Sequence, residues 1–120
     1  MSITLSTIIL YARDMQKSAE FYRKHFGFKT TSVVVEGLIK LSAVDGGTSI
    51  FIRQAAKSAK LGQVGVKLSF HVANIGAFKA QAAAQGLKFG ATHQANGYAF
   101  ANARDPDKNS VSISRCAFRA

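Results

Sequence analysis

One pattern near the start of the chain is written twice, and that repeat limits the fold more than any other feature. Residues 3–12 alternate and then run apolar, as a buried strand does. Asp14 follows and is placed to cap a helix, because its carboxylate can accept from free amides two or three residues on. Met15, Ser18, Ala19, Tyr22 and Phe26 recur at three- and four-residue steps and make one packed helical face. Lys17, Glu20 and Lys24 lie elsewhere on that helix, with Glu20 and Lys24 spaced to pair. Gly27 sits where a left-handed residue ends a helix. About 60 residues later the pattern returns. Residues 66–73 read as an apolar strand, Asn74 takes the capping place, residues 75–85 are Ala-rich and helical, and Gly86 stops them.

Each helix is followed by what reads as three strands. After the first come residues 29–36, rich in Thr and Val, then 38–44 and 48–53, with Asp45-Gly46-Gly47 as a hairpin turn. After the second come 87–92, 98–104 and 110–115, the last two joined by Asp105-Pro106-Asp107-Lys108-Asn109. Residues 55–65 are polar and basic with no period, which predicts a linker. The expectation is one domain over residues 1–120, with module one at about 3–54 and module two at about 66–116. Neither copy alone has two sides to its core, so pairing the copies explains why both exist.

The net charge is +10, from 16 basic and 6 acidic residues, which favours an anionic partner. The basic residues are spread from Arg13 to Arg119 without a run, so a solvated basic surface accounts for the charge better than a nucleic-acid footprint. The single cysteine, Cys116, excludes an intramolecular disulfide, suits a reducing compartment and has no motif that activates it. Met1-Ser2 leads into strand residues with no leader-like apolar region, and no apolar run reaches bilayer length. These readings predict a soluble, cytoplasmic protein with no membrane partner.

The residues Tyr11-Ala12-Arg13-Asp14-Met15-Gln16-Lys17-Ser18, then Phe21-Tyr22 and Gly27-Phe28, resemble the opening of the vicinal oxygen chelate superfamily. That group holds the glyoxalases, the bleomycin-resistance proteins and the extradiol dioxygenases. The late turn at Asp105 resembles its Asp-Pro-Asp-Gly-Asn signature, with Lys108 in place of glycine, a residue that resists positive φ. The resemblance implies an α+β fold of two βαβββ modules, forming a cup-shaped sheet with helices on the convex side. It also implies a ligand in the cup, and a homodimer.

Enzymes of that group bind a divalent ion through side chains on the first and last strand of each module. Carried onto this sequence, those positions fall on Thr7, Phe51, Lys67 and Ser112. None is a good ligand. A phenyl ring has no donor pair, and hydroxyls alone are weak. An ammonium at about 4 Å from a divalent ion, at an effective dielectric of about 20, costs on the order of several kcal/mol. The neighbours Ser6, Ile8, Ile50, Ile52, Val66, Leu68, Val111 and Ile113 would not rescue the site. The reading is therefore no metal and no cofactor.

Strand side chains alternate faces, so these positions also mark which face looks into the cup. Their partners are Ile9 and Tyr11, Ser49 and Arg53, Ser69 and His71, and Ser110 and Ser114. Lys40, Ser42, Tyr98, Phe100 and Asn102 join them on the middle strands. The expected ligand-binding set is Thr7, Tyr11, Phe51, Arg53, Lys67, Ser69, His71, Tyr98, Phe100 and Ser112. Aromatic surface, basic groups and hydroxyls suit a small anionic or aromatic molecule. Phe51 and Phe100 serve equally well as filling for the core, and His71 as a satisfied sheet histidine. His25, near a helix C-terminus, is read as a cation favoured by the dipole, and His93 as a loop residue.

The leading expectation is a metal-free member that sequesters or carries such a molecule. The resistance members work by sequestration, but a +10 chain without Trp is a poor host for cationic bleomycin. The alternative is a lyase or dioxygenase with displaced ligands, or a metal-independent catalyst using Lys67 or His71 as its acid–base group. Charge-driven nucleic-acid binding is a weaker third reading.

Overall fold

Asp14 caps the first helix. Its Oδ1 accepts from the amide of Lys17 at 3.1 Å, and Gly27 closes the helix at φ 75°, donating to the Arg23 carbonyl at 3.2 Å. In this computed structural model, residues 3–95 and 97–116 are described. Met1-Ser2 and the side chain of Cys116, on which two sequence readings rest, lie outside the described residues. The chain divides into two units, Met1–Leu61 and Gly62–Ala120.

The first unit runs β1 (Thr7–Ala12), α1 (Met15–Phe26), β2 (Leu38–Leu41) and β3 (Ser49–Gln54). Its sheet has the order β1-β3-β2, with β1 parallel and β2 antiparallel to β3. α1 lies on β2 and β3, and Ala19, Tyr22, Ile39, Leu41, Ile50 and Ile52 form the core. Glu20 pairs with Arg23, not Lys24: the guanidinium Nε donates to Oε2 at 2.8 Å, and its second nitrogen takes the other carboxylate oxygen. A planar fork three residues on meets both oxygens, which an ammonium cannot.

The strand expected at residues 29–36 does not form. Only isolated bridges join Lys29 to Ser42 and Val35 to Leu38. Thr30 Oγ1 accepts from the Ser32 amide at 3.0 Å, and Thr31 Oγ1 from the Val33 amide at 3.4 Å. Such local bonds compete with a ladder. Ser32 at φ 61° and Glu36 at φ 52° then turn the backbone out of the extended region. Glu36 and Gly37 (φ 79°) make a tight turn, across which Val35 and Leu38 exchange both backbone bonds.

The second unit runs β4 (Lys67–His71), α2 (Ile75–Ala84), β5 (His93–Ala95), β6 (Tyr98–Arg104) and β7 (Ser110–Cys116), the expected order of elements with one strand displaced. The sheet order is β4-β7-β6-β5. Asn74 Oδ1 caps α2 by accepting from Ala77 at 2.9 Å. The strand expected at 87–92 lies instead at 93–95. Leu87 and Phe89 are buried, and Gly90 donates to the Asn102 carbonyl at 2.9 Å. β5 pairs with β6 in the register Ala95 to Tyr98, so His93 is a strand residue and not a loop residue.

The turn after β6 is held by one carboxylate. Asp105 is 6 % exposed. Its Oδ1 accepts from the amides of Asp107 and Asn109 at 2.9 Å each, and its Oδ2 from Asn109 Nδ2 at 3.0 Å. Lys108 adopts φ 67°, so a lysine takes the left-handed place of the family glycine. Together the two units give an α+β chain with sheets of three and four strands and two helices.

Candidate functional site

The faces separate by chemistry within each unit. On the helix side, Ile50, Ile52, Val111 and Ile113 are buried. The other face carries the residues singled out in the sequence. In the first unit, Phe51 stands between Ile9 on β1 and Lys40 on β2, and Arg53 stands between Tyr11 and Leu38. Lys40 Nζ lies 5.9 Å from the centre of the Phe51 ring. Ile9 and Tyr11 are 50 % and 52 % exposed, and Arg53 is exposed. Thr7 is level with Ser49, its hydroxyl 3.5 Å from that of Ser6.

The second unit presents a more connected face. Its registers align Lys67 with Ser110 and Arg104, then Ser69 with Ser112 and Asn102, then His71 with Ser114, Phe100 and His93. Lys67 Nζ donates to Asn102 Oδ1 at 3.0 Å and lies 5.6 Å from the centre of the Phe100 ring. The lysine thus crosses β7 to reach β6. The serines of β7 are short enough to let it pass. The hydroxyls of Ser69 and Ser114 are 3.2 Å apart. Phe100 stands beside His93 at 5.2 Å and Tyr98 at 5.7 Å between ring centres, both tilted. Lys67, Ser69 and His71 are exposed, whereas Ser112 is only 3 % exposed.

Sequence reasoning placed Asn102 on this face but gave it no role, and it assigned His93 to a loop. The first has no signal in the sequence, because a contact across β7 needs the strand order. The second had one: Asn96-Gly97 is a two-residue hairpin signature that places the preceding strand directly before it.

A sequence model of the Glyoxalase/Bleomycin resistance protein/Dioxygenase superfamily matches residues 4–113. The chain belongs to that superfamily. Its fold is shared with TnmS3, an antibiotic binding protein from Streptomyces sp. CB03234, at TM-score 0.80 and 17% identity over 97% of this chain and 98% of that one. A glyoxalase/bleomycin resistance protein from Streptomyces sp. CB03234 matches at TM-score 0.72 and 16% identity, over 93% and 100%. Lactoylglutathione lyase from Agrobacterium tumefaciens matches at TM-score 0.71 and 22% identity, over 93% and 92%. A search of curated proteins finds no match.

The four residues that the resemblance puts at ligand positions, Thr7, Phe51, Lys67 and Ser112, do not have the chemistry to hold a divalent ion. Phe51 offers a ring face to an ammonium. Lys67 is a hydrogen-bond donor to Asn102, where a metal ligand must give a lone pair. Ser112 is nearly sealed, and Thr7 brings one hydroxyl. Among the described residues, no three His, Cys, Asp or Glu side chains gather to hold an ion. Among the described helices, none is long and apolar enough to cross a membrane.

Each unit has a cavity, and the one in the first unit includes Lys40 and Ser42, two of the residues expected on this face. One of about 260 Å³ is on the helix side of the second sheet, where Gln94, Ala99 and Arg115 form a row below the start of α2. One of about 320 Å³ is lined by Lys29, Thr30, Thr31, Lys40 and Ser42.

His25 departs from its expected role. Its Nδ1 is buried with no hydrogen-bond partner. Burial, then the nearby Lys24 charge, hold its pKa below the usual 6.5, against a smaller pull from Glu20. Desolvation is the largest cause, and it favours the neutral ring.

Proposed function

We propose that the protein binds a small aromatic acid on the Lys67 face of the second sheet and sequesters or carries it without the superfamily's metal. One observation carries the reading: the Lys67 ammonium is held by Asn102 over the Phe100 ring, on an exposed face. An ammonium has three donors, and Asn102 takes one, so two remain for a carboxylate. The rings of Phe100, Tyr98 and His93 offer apolar surface beside that charge for an aromatic body. The net charge of +10 draws anions toward the protein. A binding role is in keeping with the antibiotic binding protein among the fold relatives.

The test is a thermal-shift screen with benzoate, salicylate and hydroxybenzoates, against aliphatic acids and neutral aromatics. A ligand that binds the native state raises the melting temperature with concentration. Aromatic acids should shift it and their methyl esters should not. Equal shifts for acids and esters, or none for either, would remove the proposal.

A further inference from the structure

We infer a separate binding site for a phosphate group in the first unit, in the cavity of about 320 Å³ lined by Lys29, Thr30, Thr31, Lys40 and Ser42. The register puts both lysines on one side of the sheet. Lys29 and Ser42 face each other in an antiparallel bridge, exchanging backbone bonds of 3.0 and 2.8 Å. Opposed residues of such a bridge point to one side of the sheet, and so does a residue two places along the strand. Lys29, Ser42 and Lys40 therefore share a face. It is the face on which Lys40 sits against Phe51.

The threonines add directed donors. Thr30 Oγ1 accepts from the Ser32 amide and Thr31 Oγ1 from the Val33 amide. Each bond fixes its side chain and occupies a lone pair, which leaves the O–H to donate outward. Gln16 Nε2 donates to the Ser32 carbonyl at 2.9 Å and ties the loop to α1. The lining residues are thus two lysines, two threonines and a serine, with no carboxylate. A donor-rich lining with two positive charges matches a dianion with several acceptor oxygens. Phosphate, free or as a monoester, meets that description better than a single carboxylate.

This site shares no residue with the Lys67 face, so the two stand or fall separately. Titration with inorganic phosphate and with phenyl phosphate, at constant ionic strength, tests it. Backbone amide resonances of Thr30, Thr31 and Ser42 should move saturably in the unaltered protein, a readout that needs no variant to fold. Lys29→Gln and Lys40→Gln should each weaken phosphate about tenfold, while Lys57→Gln and Lys88→Gln leave it within about twofold. Tighter binding of phenyl phosphate would identify the source as an organic ester, and equal binding as free phosphate. Unsaturable shifts, or equal losses in all four variants, would overturn the site, because charge screening alone would then explain them.

Discussion

The ammonium of Lys67 and the carboxamide of Asn102 meet at 3.0 Å across the intervening strand β7. Three strands must be in register for that bond, which makes the lysine a fixed charge on the face. Lys67→Met should weaken a bound aromatic acid about tenfold, since it deletes a charge-assisted bond. Asn102→Ala should weaken it less, because the charge stays but is no longer held. Both side chains are on an open face, so stability should change by less than about 1 kcal/mol. Calorimetric titration alongside urea unfolding separates the two effects. Unaltered affinity in Lys67→Met would take the lysine out of the site.

Metal content gives a sharper division. Protein purified without added metal should carry no stoichiometric transition ion by elemental analysis. Its melting temperature should be indifferent to EDTA and to added zinc or nickel, because neither a phenyl ring nor an ammonium donates a lone pair. One ion per chain, lost on Phe51→Ala or Lys67→Ala, would contradict the fit argued from these side chains.

The turn after β6 should be the most sensitive polar feature of the second unit. Asp105→Ala strips the buried carboxylate from the amides of Asp107 and Asn109 in a part-buried turn. The expected loss is about 2–4 kcal/mol by urea unfolding, from leaving those donors unsatisfied. Lys108→Gly should act the other way. A left-handed lysine costs about 1–2 kcal/mol and glycine's extra unfolded freedom about 0.5–1, so a net gain of about 0.5–1 kcal/mol is expected. A loss on Lys108→Gly would mean that the lysine side chain makes up for its backbone.

Much of this molecule was readable before any coordinates. Asp14, Gly27 and Asn74 announce their helices because capping is local chemistry, decided within four residues. The division into buried and open faces followed from the two-residue period of strands, and Ile50, Ile52, Val111 and Ile113 lie where that period puts them. What failed was also local but ambiguous. Thr and Val at 29–36 suit a strand, yet the same threonines capture the amides of Ser32 and Val33 and turn the chain. Phe89 likewise looks like strand, but is buried without pairing, edge-on to Phe78 of α2 at 6.0 Å between ring centres. The Lys67–Asn102 contact was out of reach, since nothing in a one-dimensional pattern says that β7 is inserted between β4 and β6.

His25 should give stability a dependence on pH that can be assigned to one ring. Its pKa in the folded protein is depressed below 6.5, with burial the largest cause. Above 6.5 the ring is neutral in both states and stability is level. Below 6.5 the unfolded chain takes up the proton first, so it binds more protons than the native state and stability falls with pH. The decline ends once pH passes the depressed native value. Glu20 is depressed too, chiefly by its bond to Arg23, but its stability is lost only as pH falls below 4.5. The two declines therefore begin at different pH, 6.5 for His25 and 4.5 for Glu20. His25→Phe should abolish the upper decline and keep the lower one, because phenyl fits beside Phe21 without a buried nitrogen lacking a partner. Urea unfolding from about pH 7.5 to about pH 3.5 reads both windows. An upper decline unchanged in His25→Phe would assign it to another group and leave the buried nitrogen without consequence.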